Sequence, residues 1–165
     1  MRTRLSILPS NIGSGSTVST TSAFVSACAQ GRGRFSPACD GGRFLRSSEK
    51  GEAYQVLLDY RDKGTLFGVY GERLKDVVTY NVEDWRKYWK ENEWNSVRAR
   101  IEGDIPRITV WVNGRQTTAW SDTSNHAAGG ALDGMIAVQV HGGNQIWKAG
   151  GKHRFRNIAV RELPN

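Results

Sequence analysis

From Asn95 to Glu102 the chain alternates: Val97, Ala99 and Ile101 are apolar, while Arg98, Arg100 and Glu102 between them are charged. Successive side chains of a strand point to opposite faces, so this run offers one face to a core and the other to solvent or a ligand. Shortly afterwards Asn113-Gly114 separates the apolar-alternating stretches 108–112 and 116–120. Both central positions of a type I′ turn need positive φ, which Asn and Gly tolerate, so a tight hairpin of two antiparallel strands is predicted.

The same texture continues from Gly41 to the end of the chain. Candidate strands cover 43–47, 53–60, 65–70, 95–102, 107–113, 115–120, 135–141 and 154–161, punctuated by Gly-Gly, Asn-Gly and Asp-Gly pairs. One helix is expected over 83–90, with Trp85, Tyr88 and Trp89 on one side and Asn81 as its N-cap. Many short antiparallel strands with polar loops predict an all-β sandwich or jelly roll, with that short helix inserted between strands. No internal repeat is present.

Residues 1–40 are different in kind. Sixteen of them are Ser, Thr or Gly, and none is Lys, Trp or Tyr. A segment so poor in apolar side chains is expected to be disordered, or a mispredicted N-terminus, with residues 41–165 forming the domain. Arg2 and Arg4 suit the basic start of an export signal, but Pro9 to Ser16 interrupts the apolar stretch such a signal needs.

Charge and motifs narrow the function. The net charge is +7, of which the first 40 residues carry +3 (Arg2, Arg4, Arg32 and Arg34 against Asp40), leaving +4 spread over a mixed surface. A one-sign stripe is what a nucleic-acid binder needs, so no nucleic-acid partner is expected. No run of about 18 apolar residues is available for a membrane span. Cys28 and Cys39 allow one disulfide and lack metal-site partners. A GxxxxGK[ST] loop, a GxSxG elbow, HExxH and CxxC are all missing, and Gly129-Gly130 after His126 is no dinucleotide fingerprint.

Polar residues on the outward faces of strands are the candidates for chemistry. In the run from Ile136 to His141, alternation sends Ile136, Val138 and Val140 inward and Gln139 and His141 outward together. An imidazole at a strand end suits acid or base work, although a surface histidine bonded to a neighbour explains the same pattern. Trp111 is expected to face outward beside Thr109 and Asn113, either as a flat platform for a sugar ring or as an outer Trp under a loop. Arg98 and Arg100 on the neighbouring strand can stabilise an oxyanion or pair with Glu102 in solvent. Arg46, Gln55, Asp59, Tyr70 and Glu72 add polar groups in or beside the early strands, with no spacing that defines a site.

Several short runs occur together in a characteristic order: Arg43-Phe44-Leu45-Arg46, Ala53-Tyr54-Gln55-Val56, Glu93-Trp94-Asn95, Val112-Asn113-Gly114, Gly134 to Gly142, and Phe155-Arg156-Asn157-Ile158. In this respect residues 41–163 or so resemble the 3-keto-disaccharide hydrolase family, also described as 3-keto-glucoside lyase and hydratase domains. The resemblance implies a concanavalin-like jelly roll, here lacking its first strands because residues 1–40 look nothing like them. It implies a carbohydrate substrate, and periplasmic or extracellular localisation in glycoside-degrading bacteria. It also allows a divalent metal as cofactor. Many members carry a Glu where this chain has Ala53; Glu52 is adjacent but faces the other side by alternation, and Asp59 falls one residue later than the family's usual Asp.

The implied reaction is cleavage of 3-keto-glycosides. A ketone at C3 acidifies the C2 proton, a base removes it, the C1 substituent leaves, and water then adds. His141 is the expected base or metal ligand, Gln139 and Gln55 the partners of sugar hydroxyls, and Arg46 or Arg98 the electrostatic stabiliser, with Trp111, Asp59 and Tyr70 lining the substrate. The alternative is a carbohydrate-binding jelly roll without turnover, suggested by Trp111 and by the Glu missing at Ala53.

Overall fold

The computed structural model describes residues 17–27, 29–30, 34–35, 40–59, 64–91, 93–140 and 152–163. His141, Cys28 and Cys39 lie outside the described residues.

In chain order the strands are β1 (Thr17–Ala27), β2 (Ala29–Gln30), β3 (Arg34–Phe35), β4 (Gly41–Ser47), β5 (Ala53–Leu58), β6 (Leu66–Glu72), β7 (Asn95–Glu102), β8 (Arg107–Val112), β9 (Arg115–Ser121), β10 (Met135–Val140) and β11 (Lys152–Leu163). They form a five-stranded sheet in the order β11-β1-β7-β8-β9 and a four-stranded sheet in the order β10-β4-β5-β6, with β2 and β3 as a separate pair. Every pairing is antiparallel. The two main sheets enclose one core. Leu45, Tyr54, Val56, Leu58, Leu66, Phe67 and Val69 come from the smaller sheet and meet Val97, Ala99, Ile101, Ile108, Val110, Val112 and Trp120 from the larger. This is the expected jelly-roll sandwich.

β1 comes from the segment whose composition predicts disorder. Its backbone pairs with β7 on one side and β11 on the other, so both rows of peptide groups are satisfied. Averaging over 40 residues hides the local β-branched run of Thr17, Val18, Thr20 and Thr21.

The hairpin forms where it was predicted, with Asn113 at φ 50 and Gly114 at φ 83. The expected helix over 83–90 shrinks to a single 3-10 turn, Trp85–Lys87, preceded by Asp84 in the left-handed region rather than capped by Asn81. A helix that short gains little from its own hydrogen bonds, and burial of Trp85 and Trp89 against the core decides the path instead. Asn95 then clamps this segment. It accepts from Lys90 N at 2.8 Å and donates to Lys90 O at 2.8 Å and Glu93 O at 3.0 Å. Its Oδ1 also accepts from Asn113 Nδ2 at 2.8 Å, which ties the Trp94-Asn95 run to the hairpin.

Two bulges override the simple alternation. Between the pairs Phe44–Ala137 and Ser47–Met135, two residues of β4 (Leu45 and Arg46) oppose the single Ile136 of β10, and Arg46 in the bulge has φ 49. In β6 a second irregularity lies between the Val56–Val69 and Leu58–Leu66 pairs, and there Phe67 has φ 69. Leu66 and Phe67 are consecutive, yet both are buried in the core. Gly68 beside them has no space for a side chain, since a Cβ there would come within 2.2 Å of Tyr80 O.

Candidate functional site

The pairing registers assign each polar strand residue to a face. On β5, Tyr54 and Val56 point into the core, so Ala53 and Gln55 point to the outer face of the four-stranded sheet. Gln55 lies opposite Tyr70 on β6, Ala53 lies opposite Glu72, and Gln139 on β10 lies opposite Gly42 on β4. Gln55 Nε2 donates to Gln139 Oε1 at 2.7 Å and to Gly41 O at 2.9 Å. The two amides meet across β4 only because Gly42 has no side chain; a Cβ there would lie 2.3 Å from Gln55 Nε2. Gln139 Nε2 donates to nothing among the described residues. Tyr70 is 42% exposed, and Phe44 packs with Ala53 and Ala137 beneath this polar row. Asp59 follows β5 and is buried, with its N–H donating to Thr65 O at 3.1 Å.

Gln139, Gln55 and Tyr70 are therefore brought together by the strand pairings on one face. Glu72 joins them on the same face and supplies a carboxylate opposite Ala53. Strand pairing was needed to find it, because Glu72 and Ala53 are distant in sequence. His141, two residues beyond Gln139, lies outside the described residues.

The two expected arginines lie elsewhere. Arg46 donates from Nη2 to Gly103 O at 2.7 Å, across the sandwich to the β7–β8 turn. The bulge in β4 is the cause, since regular alternation from Phe44 would have sent Arg46 to the outer face with Gln55. Its Nη1 is buried with no partner among the described residues. Burial holds its pKa below the usual arginine value against the opposing pull of Tyr54, Asp104 and Asp133. Arg98 is on the outer face of the five-stranded sheet, the opposite side of the molecule from Gln55 and Gln139, because Val97 and Ala99 on either side of it are core. Its guanidinium carbon sits 3.8 Å from the centroid of the Trp111 ring. That ring face is occupied by a cation, so Trp111 is not an open sugar platform. Arg100 pairs with Glu102, the solvent-side pairing.

Sequence reading passed over a further cluster at the end of the sandwich. The loop from β9 to β10 crosses between the sheets, and within it Asp122, Ser124 and His126 occur in a five-residue window. Tyr54 Oη donates to Asp122 Oδ2 at 2.7 Å and accepts from His126 N at 2.9 Å. His126 Nδ1 lies 2.9 Å from the same carboxylate oxygen, and Thr123 N donates to Asp122 Oδ1 at 2.8 Å. Burial and the bond to Asp122 push the Tyr54 pKa well up, so the phenol remains a donor. The D-x-S-x-H spacing was the available signal. Tyr54→Phe is expected to destabilise the fold by about 2 kcal/mol, because it removes one of the donors to a buried carboxylate and leaves the His126 backbone N–H without its acceptor. Urea unfolding measures this, and an unchanged midpoint would contradict the assignment.

Residues 15–161 match the model of the 3-keto-alpha-glucoside-1,2-lyase-like domain. The chain belongs to this family. The match begins before β1 and so includes it. A family of this kind carries a carbohydrate-acting role. No curated protein matches the chain. Among solved structures, an alginate lyase from Chlorella virus is 14% identical with a TM-score of 0.61, over 97% of this chain and 76% of that one. The carbohydrate-binding module CBM66 from Bacillus subtilis is 15% identical with a TM-score of 0.57, over 88% and 75%. A protein assigned as a glycosyl hydrolase from Parabacteroides distasonis is 16% identical with a TM-score of 0.50, over 88% and 78%. At these identities the likeness is one of fold. No helix among the described residues is long and apolar enough to cross a membrane.

Proposed function

We propose that the chain cleaves 3-keto-glycosides on the outer face of its four-stranded sheet. The observation that carries this reading is the Gln55–Gln139 amide pair beside Tyr70, with Gln139 Nε2 donating to no group among the described residues. Such a donor suits a sugar hydroxyl or the oxygen of an enolate forming at C3. His141, expected from the alternation of its sequence run to share the face of Gln139, serves in this reading as the base that removes the C2 proton. The electron pair passes to the C3 oxygen, the C1 substituent leaves, and water adds in its place. Arg46 and Arg98 take no part, since one is committed to Gly103 O and the other stacks on Trp111. Among the described residues no group of three His, Cys, Asp or Glu side chains is placed to hold a metal.

Sugar release from a 3-keto-disaccharide by the full chain tests this. Gln139→Ala is expected to lower kcat/KM about 10-fold, the value of one lost hydrogen bond. His141→Ala is expected to lower kcat by about 100-fold or more. Absence of product with the unmodified chain would overturn the catalytic reading. Ala53, at a position where a carboxylate is usual, favours the second reading of a sugar-binding jelly roll without turnover. Saturable binding of the disaccharide by calorimetry with no product is its signature.

A further inference from the structure

We propose that Ser124, His126 and Asp122 form a second catalytic centre, separate from the sheet face, which hydrolyses short-acyl carboxylic esters through a serine nucleophile. Ser124 Oγ is 3.0 Å from His126 Nε2, and His126 Nδ1 is 2.9 Å from Asp122 Oδ2. This is the order of groups that activates a hydroxyl: a base within hydrogen-bond reach of the nucleophile, and a buried carboxylate that orients the base. Exposure is graded to match. The Asp122 side chain is 1% exposed and that of His126 19%, while Ser124 is open to solvent.

The carboxylate is held by more than the imidazole. Tyr54 Oη and Thr123 N donate to its two oxygens, so Asp122 keeps one orientation and fixes the ring by its Nδ1 side. The N–H of His126 is anchored on Tyr54 Oη. The backbone N–H groups of Ser124 and Asn125 donate to no partner among the described residues. Amides of the nucleophile and of the residue after it are the usual donors to the oxyanion in acyl transfer, and here both remain available. The side chains that follow are Ala127, Ala128, Gly129, Gly130 and Ala131, which offer little apolar area to a long acyl chain. A short acyl group is the fitting substrate.

The step balances without a co-reactant other than water. Ser124 Oγ bonds to the ester carbonyl carbon as its proton passes to His126 Nε2, and the carbonyl π pair moves onto oxygen. Collapse breaks the ester C–O bond, and the departing alkoxide takes the proton from His126. Water then attacks the acyl-serine, gives a proton to His126, and a second collapse releases the carboxylic acid and returns the proton to Ser124 Oγ.

The test uses the full chain with p-nitrophenyl acetate and, separately, with a fluorophosphonate whose adduct is mapped by peptide mass spectrometry. The expected result is a single adduct on Ser124 and hydrolysis above the buffer rate. Ser124→Ala removes the adduct and lowers hydrolysis by about 100-fold or more with an unchanged melting temperature, and His126→Gln does the same with Ser124 still in place. An unlabelled Ser124 in the native chain, or full hydrolysis by Ser124→Ala, overturns the proposal. Sugar release from the 3-keto-disaccharide reads the sheet-face site independently and is expected to be the same in Ser124→Ala.

Discussion

Asn95→Ala is expected to destabilise the protein by about 3–4 kcal/mol, the largest effect of any single substitution considered. The side chain is fully buried and makes four hydrogen bonds, two with the backbone of Lys90, one to Glu93 O and one from Asn113 Nδ2. A typical bond contributes about 1 kcal/mol net, and a buried group left without a partner costs about 1–3 kcal/mol. Alanine both removes the bonds and strands Lys90 N–H. The loop that buries Trp85 and Trp89 is closed by this clamp, so the loss spreads into the core. For a chain of this size the melting temperature falls by about 10 °C. A calorimetric shift under about 3 °C would show that the loop holds its path by tryptophan burial alone.

Acidification is expected to weaken the fold through His153. Its ring lies against β4, where a Cβ on Gly41 would come within 3.2 Å of it, and burial lowers its pKa from 6.5 to about 4. A histidine with a depressed folded pKa is neutral in the native state, while the unfolded chain protonates near 6.5. Between these values the unfolded state binds more protons, so stability rises with pH from about 4 to 6.5 and is lost as pH falls through that window. The full loss amounts to about 3 kcal/mol at pH 4. His153→Gln removes the titration, and the difference between the urea midpoints of variant and wild type is expected to shift by that amount between pH 7 and 4. Parallel pH profiles would sink the assignment.

The family's recognisable runs have two physical origins that the sequence does not separate. Asn95 and Asn113 are bonded to each other, and Arg46 joins the sheets through Gly103 O, so these motif residues hold the fold. Gln55 and Gln139 sit on the outer face as a bonded pair, in which Gln55 is buried and holds Gln139, the member that reaches the surface. A strand position tells which neighbours share a face, but the bulge at Arg46 reverses that inference within one residue. Arg98 and Gln139 both read as outward, and outward proves to mean opposite sides of the molecule, since they belong to different sheets.

By itself, the sequence determined the strands from Gly41 onward and the sandwich, though not β1, because alternation with period two and the Asn113-Gly114 turn are local consequences of backbone geometry and burial. It also determined that Gln139 lies on an outer face. Only the tertiary structure decided which outward residues share a surface, and it alone brought Tyr54 to Asp122, 68 residues away. Sheet order, bulges and the loop between sheets are set by the sum of many weak packing contacts. No short window of sequence contains that sum.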